Sequence, residues 1–174
     1  MAKSATERKR EQRAREAAAL DRLGDDAHPY LAKPFFEHVQ QDPNWSTIEA
    51  ELDLLGIDPP SFDDDSGPED FSNPGAFGSD EDRDEHFRNY PGSVGRAEVL
   101  VDGLLTVATE LAVSINTYKK AQLTERLHEL EAADLSDMKA RKAAFKDVTK
   151  IQKILDELEK KQRVDLPKWK VKGT

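Results

Sequence analysis

The chain has 174 residues with 35 acidic and 26 basic side chains, a formal charge of -9 and no cysteine. An apolar share of 37% predicts a small core with solvated extensions rather than one large globule. Disulfides and thiolate zinc sites are excluded, and no apolar run suits a signal peptide or the roughly 20 residues of a membrane span, so a soluble, cytoplasmic protein is expected.

The acidity is local. Residues 58–85 hold eleven acids against Arg83 alone, which leaves the remainder close to neutral with basic ends. Near the start, Lys3, Arg8, Lys9, Arg10, Arg13 and Arg15 face Glu7, Glu11 and Glu16; near the other end, Lys160, Lys161, Arg163, Lys168, Lys170 and Lys172 face Asp165. A basic, acidic, basic order suits contact with other macromolecules.

Residues 6–23 are rich in Ala, Arg, Glu and Leu, with no Pro or Gly before Gly24. Their propensity predicts a helix, ordered alone or on a polyanionic partner, with a solvated arm as the competing reading. Residues 29–45 carry Tyr30, Leu31, Phe35, Phe36, Val39 and Trp45 between prolines 29, 34 and 43. Ser46-Thr47-Ile48-Glu49 has the form of a capping box, and Ile48, Leu52 and Leu55 then recur at helical spacing until Gly56. These features predict a small helical unit over residues 24–57, or alternatively an aromatic patch for a partner.

Residues 58–91 combine the acidic run with five prolines and three glycines, a composition that predicts a disordered linker. Asp63, Asp64 and Asp65 lack the glycine and glutamate spacing of a calcium loop, so no metal is expected there.

The clearest periodicity follows. Ala97, Val101, Leu104, Ala108, Leu111, Ile115 and Tyr118 repeat in steps of four and three, and Leu100, Val107, Leu105 and Val113 widen the face. Leu123, Leu127 and Leu130 continue in a shifted, narrower stripe, and a turn follows in which Ser136 is a candidate N-cap. A second helix over residues 137–162 repeats the spacing through Ala144, Val148, Ile151, Leu155 and Leu158, with Phe145 and Ile154 off the seam. The short connector makes the two an antiparallel hairpin over residues 92–163. Two helices cannot bury faces this wide, so Leu100, Val101, Leu104, Val107, Leu111, Ile115, Val148, Ile151, Leu155 and Leu158 are expected to drive self-association into a coiled-coil bundle or ring. The tail over residues 164–174 alternates Lys168, Lys170 and Lys172 with Trp169 and Val171, suiting a phosphate surface, a sheet edge, or a frayed terminus.

Catalytic signatures are missing. No phosphate-binding glycine loop stands in the chain, and His28, His38, His86 and His128 lack the spacing of a metal helix. The serines fall at helix starts or in the acidic stretch, where capping and solvation explain them. The expectation is a mainly α protein without enzymatic activity, cofactor or metal.

The arm from Lys3 to Arg15, the stripes over residues 97–118 and 144–158, and the tail over residues 168–174 together resemble the layout of small terminase subunits of tailed bacteriophages. The resemblance implies a homo-oligomeric DNA-packaging adaptor, without enzymatic activity, that binds viral double-stranded DNA and regulates a large terminase ATPase and nuclease in the host cytoplasm. The helix-turn-helix of many members is not visible. On charge, DNA contact then falls to Lys3, Arg8, Lys9, Arg10, Arg13 and Arg15, and docking of the partner to Lys168, Trp169, Lys170, Val171 and Lys172. Competing readings are a scaffold-type adaptor that never meets DNA, and a small dimeric DNA-binding regulator.

Overall fold

A computed structural model describes residues 7, 9–15, 23–133, 136–162 and 164–173. Among them the chain is mainly helical and contains no strand. Two compact units emerge: Met1–Asp102 with Pro167–Thr174, and Gly103–Leu166.

The first unit is a set of short helices held by aromatic contacts. A 3-10 turn at His28–Tyr30 leads to α1 (Phe35–Val39) and α2 (Trp45–Leu54), with Pro29 inside the turn and Pro34 and Pro43 just before the two helices. The capping box is not used as such: α2 begins at Trp45 behind Asn44, which makes no side-chain cap bond, and the Ser46 hydroxyl donates to the Pro43 carbonyl at 3.5 Å. The helix stops before Gly56 as the spacing predicts. Phe62 is buried where Phe35 and Trp45 meet it edge-on, with ring centroids 5.4 and 5.3 Å away; such pairs add about 0.5–1.5 kcal/mol each beyond the area they bury.

The expected linker over residues 58–91 is instead folded. It contains α3 (Pro68–Phe71), a 3-10 turn at Pro74–Ala76 and α4 (Asp80–Phe87). Three local devices offset the charge that composition alone made prohibitive. Ser79 caps α4 by accepting the Asp82 N–H at 3.1 Å, and Asp80, Glu81 and Asp82 sit in the first turn, where the helix dipole favours anions. Phe77, His86 and Phe87 cluster, and Phe87 is buried. Arg96, only 3% exposed, lies between the rings of Phe62 and Phe71 at 4.2 and 3.8 Å and donates to the Ser61 carbonyl at 2.6 Å.

Helix α5 (Gly92–Ala132) begins in this unit and is 41 residues long. Asp65 holds its start, accepting the Ser93 N–H at 2.9 Å and the Ser93 hydroxyl at 2.7 Å, while the Ser93 oxygen accepts the Phe36 N–H at 3.1 Å. Gly92 takes a positive φ of 57° to make this entry. Phe36 and Asp65, 57 and 28 positions before it in sequence, thereby converge on one fully buried serine. Asp65→Ala is expected to lower stability by about 1–2 kcal/mol, the usual loss of an N-terminal helix cap, read as a shift in the denaturation midpoint. Gly95 is needed for a different reason. A Cβ there would stand 2.1 Å from the Tyr90 carbonyl carbon, so Gly95→Ala is expected to destabilise by about 1–3 kcal/mol through overpacking, despite alanine's better helix propensity. A midpoint that rises instead would show that the approach relaxes freely.

The second unit is an antiparallel hairpin formed by the later part of α5 and by α6 (Met138–Leu158). The cap of α6 is Asp137 and not Ser136: its carboxylate accepts the Ala140 N–H at 2.8 Å. Leu130, Ala144 and Ile151 form the buried core, flanked by Leu123, Leu127, Val148 and Leu155. Asn116 closes the far end by donating its side-chain amide to the Leu158 carbonyl at 2.8 Å. Lys120 pairs with Glu159 at 2.6 Å, a partly exposed contact worth under about 1 kcal/mol. Helix α6 therefore ends level with Asn116, and the shifted stripe of α5, not the longer line over residues 97–118, is what it covers. Among the described residues no helix is long and apolar enough to cross a membrane.

Candidate functional site

Around and beyond the end of α6, α5 carries an uncovered apolar stripe. Leu104, Val107, Leu111, Ile115 and Tyr118 fall within about 100° of the helix circumference. All five are exposed, with Val107 at 64%, Leu111 at 58% and Tyr118 at 66%. The residues expected to drive self-association thus divide into two sets. Val148, Ile151 and Leu155 are used up inside the hairpin, Leu100 and Leu158 are half-buried, and Val101, Leu104, Val107, Leu111 and Ile115 remain open. Off the seam, Phe145 and Ile154 are exposed on α6 as well.

The basic arm is helical at residues 7 and 9–15, and Lys9, Arg10, Arg13 and Arg15 are all exposed. Helical geometry puts Lys9, Arg10 and Arg13 on one flank spanning about 100°, with Glu7 and Glu11 on another and Arg15 beside the acids. Lys3 and Arg8 lie outside the described residues. So does most of the remaining arm, while Leu23 stands in a bend and not in a helix.

The tail is anchored to its own unit. Val171 accepts the Asp26 N–H through its carbonyl at 2.7 Å and donates its own N–H to the Asp25 carboxylate at 3.1 Å. The Lys170 ammonium pairs with the Asp102 carboxylate and lies 4.6 Å from the centre of the Tyr90 ring. Burial alone would lower the Lys170 pKa, but the Asp102 hydrogen bond, with Tyr90, Asp102 and Glu98 adding attraction, raises it overall. Lys168 and Trp169 stay exposed, whereas Lys170, Val171 and Lys172 are half-buried. Neither a phosphate-tracking strand nor a frayed end describes this segment.

Next to the anchor lies a constellation that sequence spacing did not reveal. Asp25 and Glu98 are 8% and 6% exposed, and His28 Nε2 hydrogen-bonds Glu98 Oε1 at 3.0 Å. One ligand atom from each of Asp25, His28 and Glu98 lies within 4.8 Å of the others. Burial raises the Glu98 pKa, opposed by its hydrogen bond and charge attraction to His28. The signal within reach was the Asp-x-x-His step at residues 25–28; Glu98, 70 positions on, has no local mark. At Arg96 burial lowers the pKa against the pull of Asp64, Asp63 and Asp70, although an arginine stays protonated in proteins.

Compared with models of protein families, curated proteins and solved structures, the chain finds no match. What the geometry defines is a class: a mainly helical chain made of a short-helix unit and a helical hairpin with an open apolar stripe.

Proposed function

We propose that the chain is a self-associating DNA-packaging adaptor of the small-terminase type, without catalytic activity of its own. Copies associate through the open stripe of α5 into a helical bundle or ring. The arms bind double-stranded DNA, and the assembly regulates a large terminase partner. The observation that carries this reading is the exposed stripe from Leu104 to Tyr118, since a run of large apolar side chains on one face marks a protein interface. The one-sided basic flank of Lys9, Arg10 and Arg13 supports the DNA contact, and multiplying it around an assembly raises its effective strength.

Because the tail braces the first unit through Val171 and Lys170, contact with the motor partner is assigned chiefly to the exposed pair Lys168 and Trp169. Deleting the whole tail would disturb folding and docking together; Trp169→Ala separates them. That substitution is expected to abolish stimulation of the large subunit's ATPase while leaving oligomer mass unchanged, and full stimulation would refute the assignment.

The DNA reading is tested by the salt dependence of binding to a duplex. Each engaged phosphate contact adds about 0.9 to the slope of log K against log salt. Replacing Lys9, Arg10 and Arg13 by glutamine should therefore lower the slope by about 2.7 per engaged arm. An unchanged slope, or affinity no higher than that of a generic polycation, would favour a scaffold-type adaptor that does not meet DNA.

A further inference from the structure

We propose that Asp25, His28 and Glu98 form a binding site for one divalent transition-metal ion, Zn2+ foremost. Two carboxylates and one imidazole suit such an ion, with water left to complete the shell.

Three observations converge on it. The first is geometry. Metal–ligand distances near 2.1 Å place neighbouring ligand atoms of a tetrahedral site about 3.4 Å apart. His28 Nε2 and Glu98 Oε1 are already 3.0 Å apart, and the widest separation in the trio, at most 4.8 Å, needs to close by only about an ångström and a half. The second is charge. Asp25 and Glu98 are both more than nine-tenths buried, and buried carboxylates require a counter-charge. The nearby cation, Lys170, attracts Glu98 through space but gives its hydrogen bond to Asp102 and lies over the Tyr90 ring. The third is support. Asp25 is held from outside the cluster, its Oδ1 accepting the Ala27 N–H at 2.7 Å and its Oδ2 the Val171 N–H at 3.1 Å, an outer shell of the kind that orients ligating carboxylates. His28 also lines an open cavity of about 300 Å³ shared with Lys33, Phe35 and Asp65.

An ion here ties the segment before α1 to α5 and, through Asp25, to the anchored tail. It would act as a staple for a unit whose apolar core is small. Two elements distant in sequence would then share one ion, with the tail held to it through Asp25.

The experiment uses full-length protein stripped with a chelator, incubated with Zn2+ and desalted, with bound metal measured by elemental analysis. One Zn2+ per chain is expected in the unaltered protein. Glu98→Gln, which keeps the size and the hydrogen bond to His28, and His28→Ala should each weaken binding at least about a hundredfold, more than the loss of an outer-shell partner. Tryptophan emission shows whether each variant is folded. In the unaltered protein, Zn2+ titration should move the ring-nitrogen NMR signals of His28 and leave those of His38, His86 and His128 in place. Failure to retain Zn2+, equal retention by the variants, or movement of another histidine instead would overturn the proposal, the last two by locating the ion elsewhere.

Discussion

If copies associate through the stripe of α5 as proposed, placing an aspartate at Leu111 is expected to leave monomers. Leu111 lies mid-stripe, with Val107 and Ile115 one turn away on either side, and it is exposed in the single chain. Its replacement therefore removes nothing from the hairpin core, which is built from Leu130, Ala144 and Ile151. In an assembly that covers the stripe, each copy would bury an unpaired carboxylate, at a cost of several kcal/mol. Every 1.4 kcal/mol is about tenfold in affinity, so self-association should weaken by at least about a hundredfold. Light scattering on the size-exclusion peak reads the mass, and far-UV circular dichroism checks that the helices persist. Unchanged mass in Leu111→Asp would show that the stripe is not the seam, and the adaptor reading would lose its main support.

The second large effect is at Arg96. Arg96→Ala removes a side chain packed between two phenylalanine rings and leaves the Ser61 carbonyl without its donor. A loss of about 3–5 kcal/mol is expected from the emptied volume alone, a large part of the stability of a small unit. Charge and packing can be told apart with Arg96→Met. Asp63, Asp64 and Asp70 are exposed, so solvent screens their attraction to Arg96. Methionine, which refills the space between the rings, should recover more than half of the loss. If it recovers nothing, the guanidinium's charge governs the fold of the acidic stretch. Both tryptophans, Trp45 and Trp169, belong to this unit, so their emission follows its unfolding.

These two sites show what could be seen in the chain beforehand. Helical periodicity identified both long helices, because Ala144, Val148, Ile151 and Leu155 repeat with helical spacing whatever they face, and the short connector identified their antiparallel pairing. It did not identify which stripe of α5 they meet. The answer lay in the connector: with α6 starting at Met138, the residues opposite its first turns must come from just before the turn, namely Leu130, Leu127 and Leu123. The acidic stretch was misread for another reason. Its composition is that of a disordered chain, and the counterweights, Arg96 and Ser93, sit outside it in α5. The Ser79-x-x-Asp82 cap was a local sign of order, outweighed by the surrounding charge. The constellation of Asp25, His28 and Glu98, likewise, exists only once residues far apart in sequence have been brought together.

The hydrogen bonds between Val171 and residues 25 and 26 bear on how the molecule comes into being. Residues 103–166 interrupt the first unit, and its last piece lies 146 positions from Asp25, which it touches. The hairpin contains only neighbours in sequence and can form as soon as α6 has been synthesised. The unit that begins the chain must wait for the lysines near residue 170 before it closes, so order of synthesis and order of completion run in opposite directions.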